Sequence, residues 1–87
     1  MIDIEKLTDK DVGRWVVYVD MVREPEIGRI KSWNDKYVFV VYKCNGDWKN
    51  FQKYAGVATD PRDLFFVEDF VSLFGKYEQW VKEVVEE

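Results

Sequence analysis

Six of the seven rings between residues 29 and 54, Trp33, Tyr37, Phe39, Trp48, Phe51 and Tyr54, interleave with the six cations Arg29, Lys31, Lys36, Lys43, Lys49 and Lys53. Rings of this kind stack on nucleobases while the cations follow phosphates, the chemistry of a single-strand nucleic-acid surface. The residues that would carry it are Arg29, Lys31, Trp33, Lys36, Tyr37, Trp48, Lys49 and Lys53. From Arg23 to Lys53 seven bases stand against four acids, a local charge of +3. So small an excess neutralises few phosphates, and binding would be weak and lost with added salt. The plainer assignment, which we place first, is that the rings pack as core and the lysines protect solubility and strand edges. Near Asp35 and Asp47 the same rings could also surround a cationic ligand, but nothing in the sequence draws them together.

Other reactive types are sparse. Asp60 with Asp63, Glu24 with Glu26 and Asp9 with Asp11 are closely spaced carboxylates. Acid–base work needs a pocket that separates two pKa values, and calcium needs a longer oxygen-rich loop. Asp60 and Asp63 bracket Pro61 and read instead as turn caps. Cys44 is the single cysteine and there is no histidine, which removes His-based triads and the usual zinc sites. No glycine-rich phosphate loop is present. The expectation is a non-enzymatic chain with no cofactor, no metal and no small-molecule substrate.

The elements that must position these residues are few. With 87 residues, 47% hydrophobic and 17% aromatic, the chain makes one folded domain with a thin stability margin. A lone cysteine, no signal-like leader and no long apolar run imply a cytoplasmic location and no membrane span. The net charge of −4 is uneven: residues 63–87 hold seven acids against two bases, whereas residues 1–62 are close to balanced.

The pattern centres on Glu26 to Tyr42, EIGRIKSWNDKYVFVVY, two β-type runs joined at Asn34 and Asp35, which tolerate positive φ. In the first run Gly28, Ile30 and Ser32 share one face while Arg29, Lys31 and Trp33 share the other. The second run is apolar on both faces, so something must cover each. Residues 1–12 read as an irregular lead-in with turn caps at Thr8 to Asp11. Arg14 to Asp20 is a first strand, Val16 and Tyr18 facing one way, Trp15, Val17 and Val19 the other. Cys44-Asn-Gly-Asp47 is a turn, and about residues 47–55 form a short helical insert that Gly56 stops in a left-handed conformation. Val57 to Thr59 and Leu64 to Val67 are further short strands.

From Glu68 the pattern changes. Phe70, Leu73, Phe74, Tyr77, Trp80, Val81, Val84 and Val85 recur at three- and four-residue spacings, predicting one amphipathic helix over about residues 68–86. Glu68 or Asp69 would cap it, and Gly75 inside it implies close approach to a neighbour. Such a helix would run nearly 30 Å at about 1.5 Å per residue. That exceeds a small sheet, so Trp80, Val81, Val84 and Val85 would overhang and meet a protein partner or a second copy of the chain.

The Gly28-Arg-Ile opening, the WNDKYVFVVY hairpin and the Asp60-Pro-Arg-Asp-Leu64 turn resemble an SH3-like small barrel of the Tudor/KOW kind. GRIKSWNDKYVFVVY with NFQKYAGVATDPRDL is also similar to small proteins of bacteriophages and prophages. The resemblance covers about residues 12–67 and implies a five-stranded barrel there; the short helical insert and the C-terminal helix (68–87) come from the pattern of the residues, and the latter departs from the minimal barrel. It transfers no functional residue, since such barrels host many unrelated roles. The functional expectation is a protein-interaction or structural module. The alternative is a weak nucleic-acid-binding accessory protein.

Overall fold

The computed structural model describes residues 1–86; Glu87, included above in the C-terminal helix, lies outside them. At the centre is the expected hairpin, β2 (Glu26–Trp33) and β3 (Val38–Val41). Asn34 closes it through its side chain: Oδ1 accepts from the N–H groups of Lys36 at 2.8 Å and Tyr37 at 2.7 Å. Positive φ is not needed there. Among described non-glycine residues it occurs at Asn45 (φ 54°), followed by Gly46 (φ 79°), as the Asn-Gly turn predicts.

β1 (Trp15–Tyr18) pairs antiparallel with β2, Trp15 opposite Arg29 and Tyr18 opposite Glu26. β4 (Val57–Thr59) adds to β3, and β5 (Leu64–Phe66) adds to β1. The result is a five-stranded antiparallel sheet of order β4-β3-β2-β1-β5. Its edge strands do not pair with each other, so the sheet is open rather than closed into a barrel. β4 and β5 are three residues each and are joined by a 3₁₀ turn, Pro61–Asp63. The lead-in, expected to be irregular, forms two 3₁₀ turns, Ile4–Lys6 and Asp9–Asp11. Ile2 is buried, its N–H donates to the Pro61 carbonyl at 3.0 Å, and Ile4 and Leu7 pack beside it on the interior.

One face of the sheet gathers Val16, Ile30, Val38, Val40 and Leu64, each 0% exposed. The alternation expected in β1 holds: Tyr18 joins this cluster, while Trp15, Val17 and Val19 lie on the opposite face. In β2 it fails beyond Ile30. The register passes from Ile30 opposite Val40 to Ser32 opposite Phe39 and Trp33 opposite Val38, a β-bulge that holds one extra residue. The extra residue inverts the period-two pattern, and Trp33 packs on the interior beside Ile30 instead of beside Arg29. Gly28 is required by contact: a Cβ there would stand 2.6 Å from both Val40 Cγ1 and the Val41 carbonyl oxygen.

Two covers lie on the second face. The first is the insert, Trp48–Lys53, a 3₁₀ segment kinked at Asn50. Gly56 is not left-handed, which corrects the expected stop; a Cβ there would meet Phe39 Cβ at 3.0 Å, so the position is fixed by packing. The second cover is the C-terminal segment, and it is not one helix. α1 (Val67–Leu73) ends at Phe74 (φ −130°, ψ 66°), a 3₁₀ turn spans Gly75–Tyr77, and α2 (Glu78–Val85) follows. Neither helix has a side-chain N-cap, so Glu68 and Asp69 act only as first-turn acids. Among the described residues, chain neighbours aside, nothing lies within 4 Å of a Cβ added at Gly75, which removes the expected close approach. The break has a size argument. The molecule measures 32 × 26 × 25 Å, and a straight helix would carry its end past the sheet, whereas a bent one returns Val81 to cover against Val17, Ile27 and Phe70.

Candidate functional site

The residues proposed from sequence for a nucleic-acid face are largely engaged within the fold. Arg29 Nε donates to the Gly13 carbonyl at 2.7 Å and its Nη1 to the Trp48 carbonyl at 3.0 Å. Its guanidinium lies 4.4 Å from the Phe51 ring centroid and 5.1 Å from Trp15. Burial holds Arg29 below the usual guanidinium range. Lys31 Nζ donates to the Tyr54 carbonyl at 2.7 Å, Trp33 is interior, and Trp48 meets Trp15 edge to face at 4.8 Å. Lys49 and Lys53 lie exposed on the insert, while Lys36 and Tyr37 sit at the hairpin tip. What the structure brings together is therefore a tie between insert and sheet, built from Arg29, Lys31 and Trp48.

Trp80, Val81, Val84 and Val85 do not overhang. They pack on the sheet with Val17, Ile27 and Phe70, Val81 being buried and Trp80 touching Phe70 and Tyr77 edge to face. Leu73 (65% exposed) and Phe74 (39%), at the break, are the open apolar residues of this segment. Cys44 is buried, and burial pushes its thiol up, against N–H groups of Gly46 and Asp47 that favour thiolate. It is a poor nucleophile. Among the described residues no group of three or more acids, cysteines or histidines is placed to hold a metal, and no helix is long and apolar enough to cross a membrane.

A concavity lies elsewhere, where β4 runs into the turn that leads to β5. It is a cleft of about 410 Å³ walled by Val57, Ala58 and Thr59, with Tyr18 and Tyr42 as its aromatic residues. The two rings meet edge to face at 6.3 Å. Thr59 donates its hydroxyl proton to the Val57 carbonyl at 3.0 Å, so in the 2.9 Å Tyr42–Thr59 contact the Tyr42 O–H is the donor. Burial pushes the Tyr42 phenol well above its usual range; burial, then Asp20 and Asp63, raises Tyr18. Both phenols are therefore neutral at physiological pH and fit to line a cleft rather than to take a proton.

Charges around the cleft are unequally committed. Asp60 is held by Arg62, which donates from its N–H at 2.9 Å and from its guanidinium at 2.7 Å, and this drives the carboxyl down to about 2. Asp20 stands 3.9 Å from Arg23. Glu26 and Asp63 have no ion-pair partner among the described residues, and neither has Lys43. The cleft thus offers two aromatic walls, an exposed valine on an edge strand and an excess of unpaired carboxylate. Sequence reasoning missed it, because Tyr18, Glu26, Tyr42 and Asp63 are scattered along the chain at β1, β2, the position just after β3 and the 3₁₀ turn before β5. The available signal was a tyrosine at the end of an apolar strand, where an amphipathic ring sits half wet. Compared with known proteins, the chain matches no family model, no curated protein and no solved structure.

Proposed function

We propose that the chain is a non-catalytic interaction module, an SH3-like small barrel left open between β4 and β5, of bacteriophage or prophage descent. Its strand order, a meander from β1 to β4 with β5 returning beside β1, supports that reading of the fold. It holds a short extended segment of a protein partner in the Tyr18–Tyr42 cleft. The observation that carries this is the cleft's makeup: neutral aromatic walls beside the uncommitted carboxylates Glu26 and Asp63, next to a strand edge where Val57 is 54% exposed. A basic side chain of the segment would lie on the rings and reach the carboxylates. Apolar neighbours would cover Val57 and Ala58.

Selection of random linear peptides against the folded chain tests the reading. Enriched peptides should carry Arg or Lys beside an apolar residue. Their binding should be lost in Val57→Lys and in the double variant Glu26→Lys, Asp63→Lys, with unfolding behaviour unchanged. Failure to enrich any sequence, or binding indifferent to these substitutions, would remove the cleft from consideration.

A further inference from the structure

The C-terminal segment carries one apolar stripe but two helices. In a straight helix Phe70, Leu73, Phe74, Tyr77, Trp80, Val81, Val84 and Val85 would fall within a sector of about 140°. The fold interrupts that stripe at Phe74, leaving Leu73 and Phe74 as its open members. The interruption is weakly specified by sequence. No proline stands there, neither helix has a side-chain cap hydrogen bond, and Gly75 has free space around it. Meanwhile α2 is held by apolar and aromatic contact: Val81 is buried against Val17, Ile27 and Phe70, and no ion pair among the described residues joins α2 to the sheet. α1 by contrast is tied, because Glu68 accepts from Arg14.

We infer that α2 exchanges between two copies of this chain. In the exchanged form residues 67–85 straighten into one helix, and the α2 portion of each copy seats on the Val17–Ile27–Phe70 face of the other. The contacts that receive it are those already made within one chain, so the receiving surface is complementary by construction. Straightening exchanges the 3₁₀ bonds of Tyr77 to Phe74 and Glu78 to Gly75 for helical bonds four residues back, continuing the one Phe74 already makes to Phe70, and brings Leu73 and Phe74 back into one continuous stripe. The bent monomer and the exchanged dimer bury the same α2 residues, so the balance rests on the hinge and on concentration. The inference does not depend on the cleft.

Sedimentation velocity of the full chain across a concentration series tests it, alongside Gly75→Ala and Gly75→Pro. Alanine favours a continuous helix over glycine by about 1 kcal/mol in each of two chains, so Gly75→Ala should strengthen dimerisation up to about thirty-fold. Proline is accepted at the first position of the 3₁₀ turn but not inside a straight helix, so Gly75→Pro should be a monomer with unchanged circular dichroism. Val57→Lys in the cleft should leave dimerisation unaltered. Gly75→Ala sedimenting as a monomer throughout, or Gly75→Pro dimerising as strongly as the unsubstituted chain, overturns the inference.

Discussion

The 48–53 insert and α2 cover the same face of one sheet, yet they are attached by different chemistry. The insert is tied by directed bonds: Arg29 joins the Gly13 and Trp48 carbonyls, Lys31 reaches the Tyr54 carbonyl, and Val41, Cys44 and Phe51 fill the space beneath. α2 rests on side-chain burial around Phe70, Tyr77, Trp80 and Val81. Directed bonds to backbone carbonyls fix one position, because a shift leaves part-buried acceptors unpaired. Apolar contact stabilises as much or more but does not specify which copy of a segment supplies it. The two covers therefore teach that strength and uniqueness of attachment are separable within one small fold.

The hardest test of that contrast is Phe70→Ala. Phe70 is 0% exposed and touches Phe74, Tyr77 and Trp80, so the cavity should cost about 4 kcal/mol in chemical denaturation. Protection from amide exchange should fall furthest in residues 67–86, and less at the Gly13 and Ile30 amides, which bond across the sheet. Equal loss of protection everywhere would break the comparison, since the two covers would then open together.

A smaller effect is expected from Arg29→Lys. Charge is retained, but one ammonium cannot serve two carbonyls in the guanidinium's fixed geometry, and about 2 kcal/mol should be lost. Exchange should rise at residues 48–54 and leave α2 unchanged. If lysine substitutes without loss, the insert is held by its rings, and the contrast with α2 weakens.

The smallest effect concerns a turn outside both covers. Asp60 is lowered to about 2 by the Arg62 hydrogen bonds from an ordinary value of 3.8. A carboxyl depressed in the folded state stabilises above its ordinary value, and that contribution fades as pH falls from about 4 to 2. Carbon-13 titration should place the Asp60 midpoint near 2, and Arg62→Gln should return it toward the ordinary carboxylate range. Because the turn bond is exposed to solvent, global stability should barely respond, which separates a local turn bond from the part-buried bonds of Arg29.

Much of the local structure was legible. The hairpin, the two faces of β1, the Asn45-Gly46 turn and the Asp60 cap each follow from side chains a few residues apart. The bulge after Ile30 was not, since Lys31-Ser32-Trp33 continues the alternation as written and only the register with β3 reveals the extra residue. Trp33 and Arg29, placed together on a binding face by strict period two, separate for that reason. The cleft was also hidden, because its rings and carboxylates meet through strand pairing rather than spacing.

By itself the sequence determined where the strands lie, which way the side chains of β1 alternate, and that the last quarter of the chain carries an amphipathic stripe. Periodicity records these, because a side chain's direction follows from its own backbone. The tertiary structure decided that the sheet stays open, that Arg29 serves as a fastener, and that the stripe bends at Phe74. Those outcomes depend on the size of the sheet and on which carbonyls come within reach, quantities that arise only when distant segments compete for one surface.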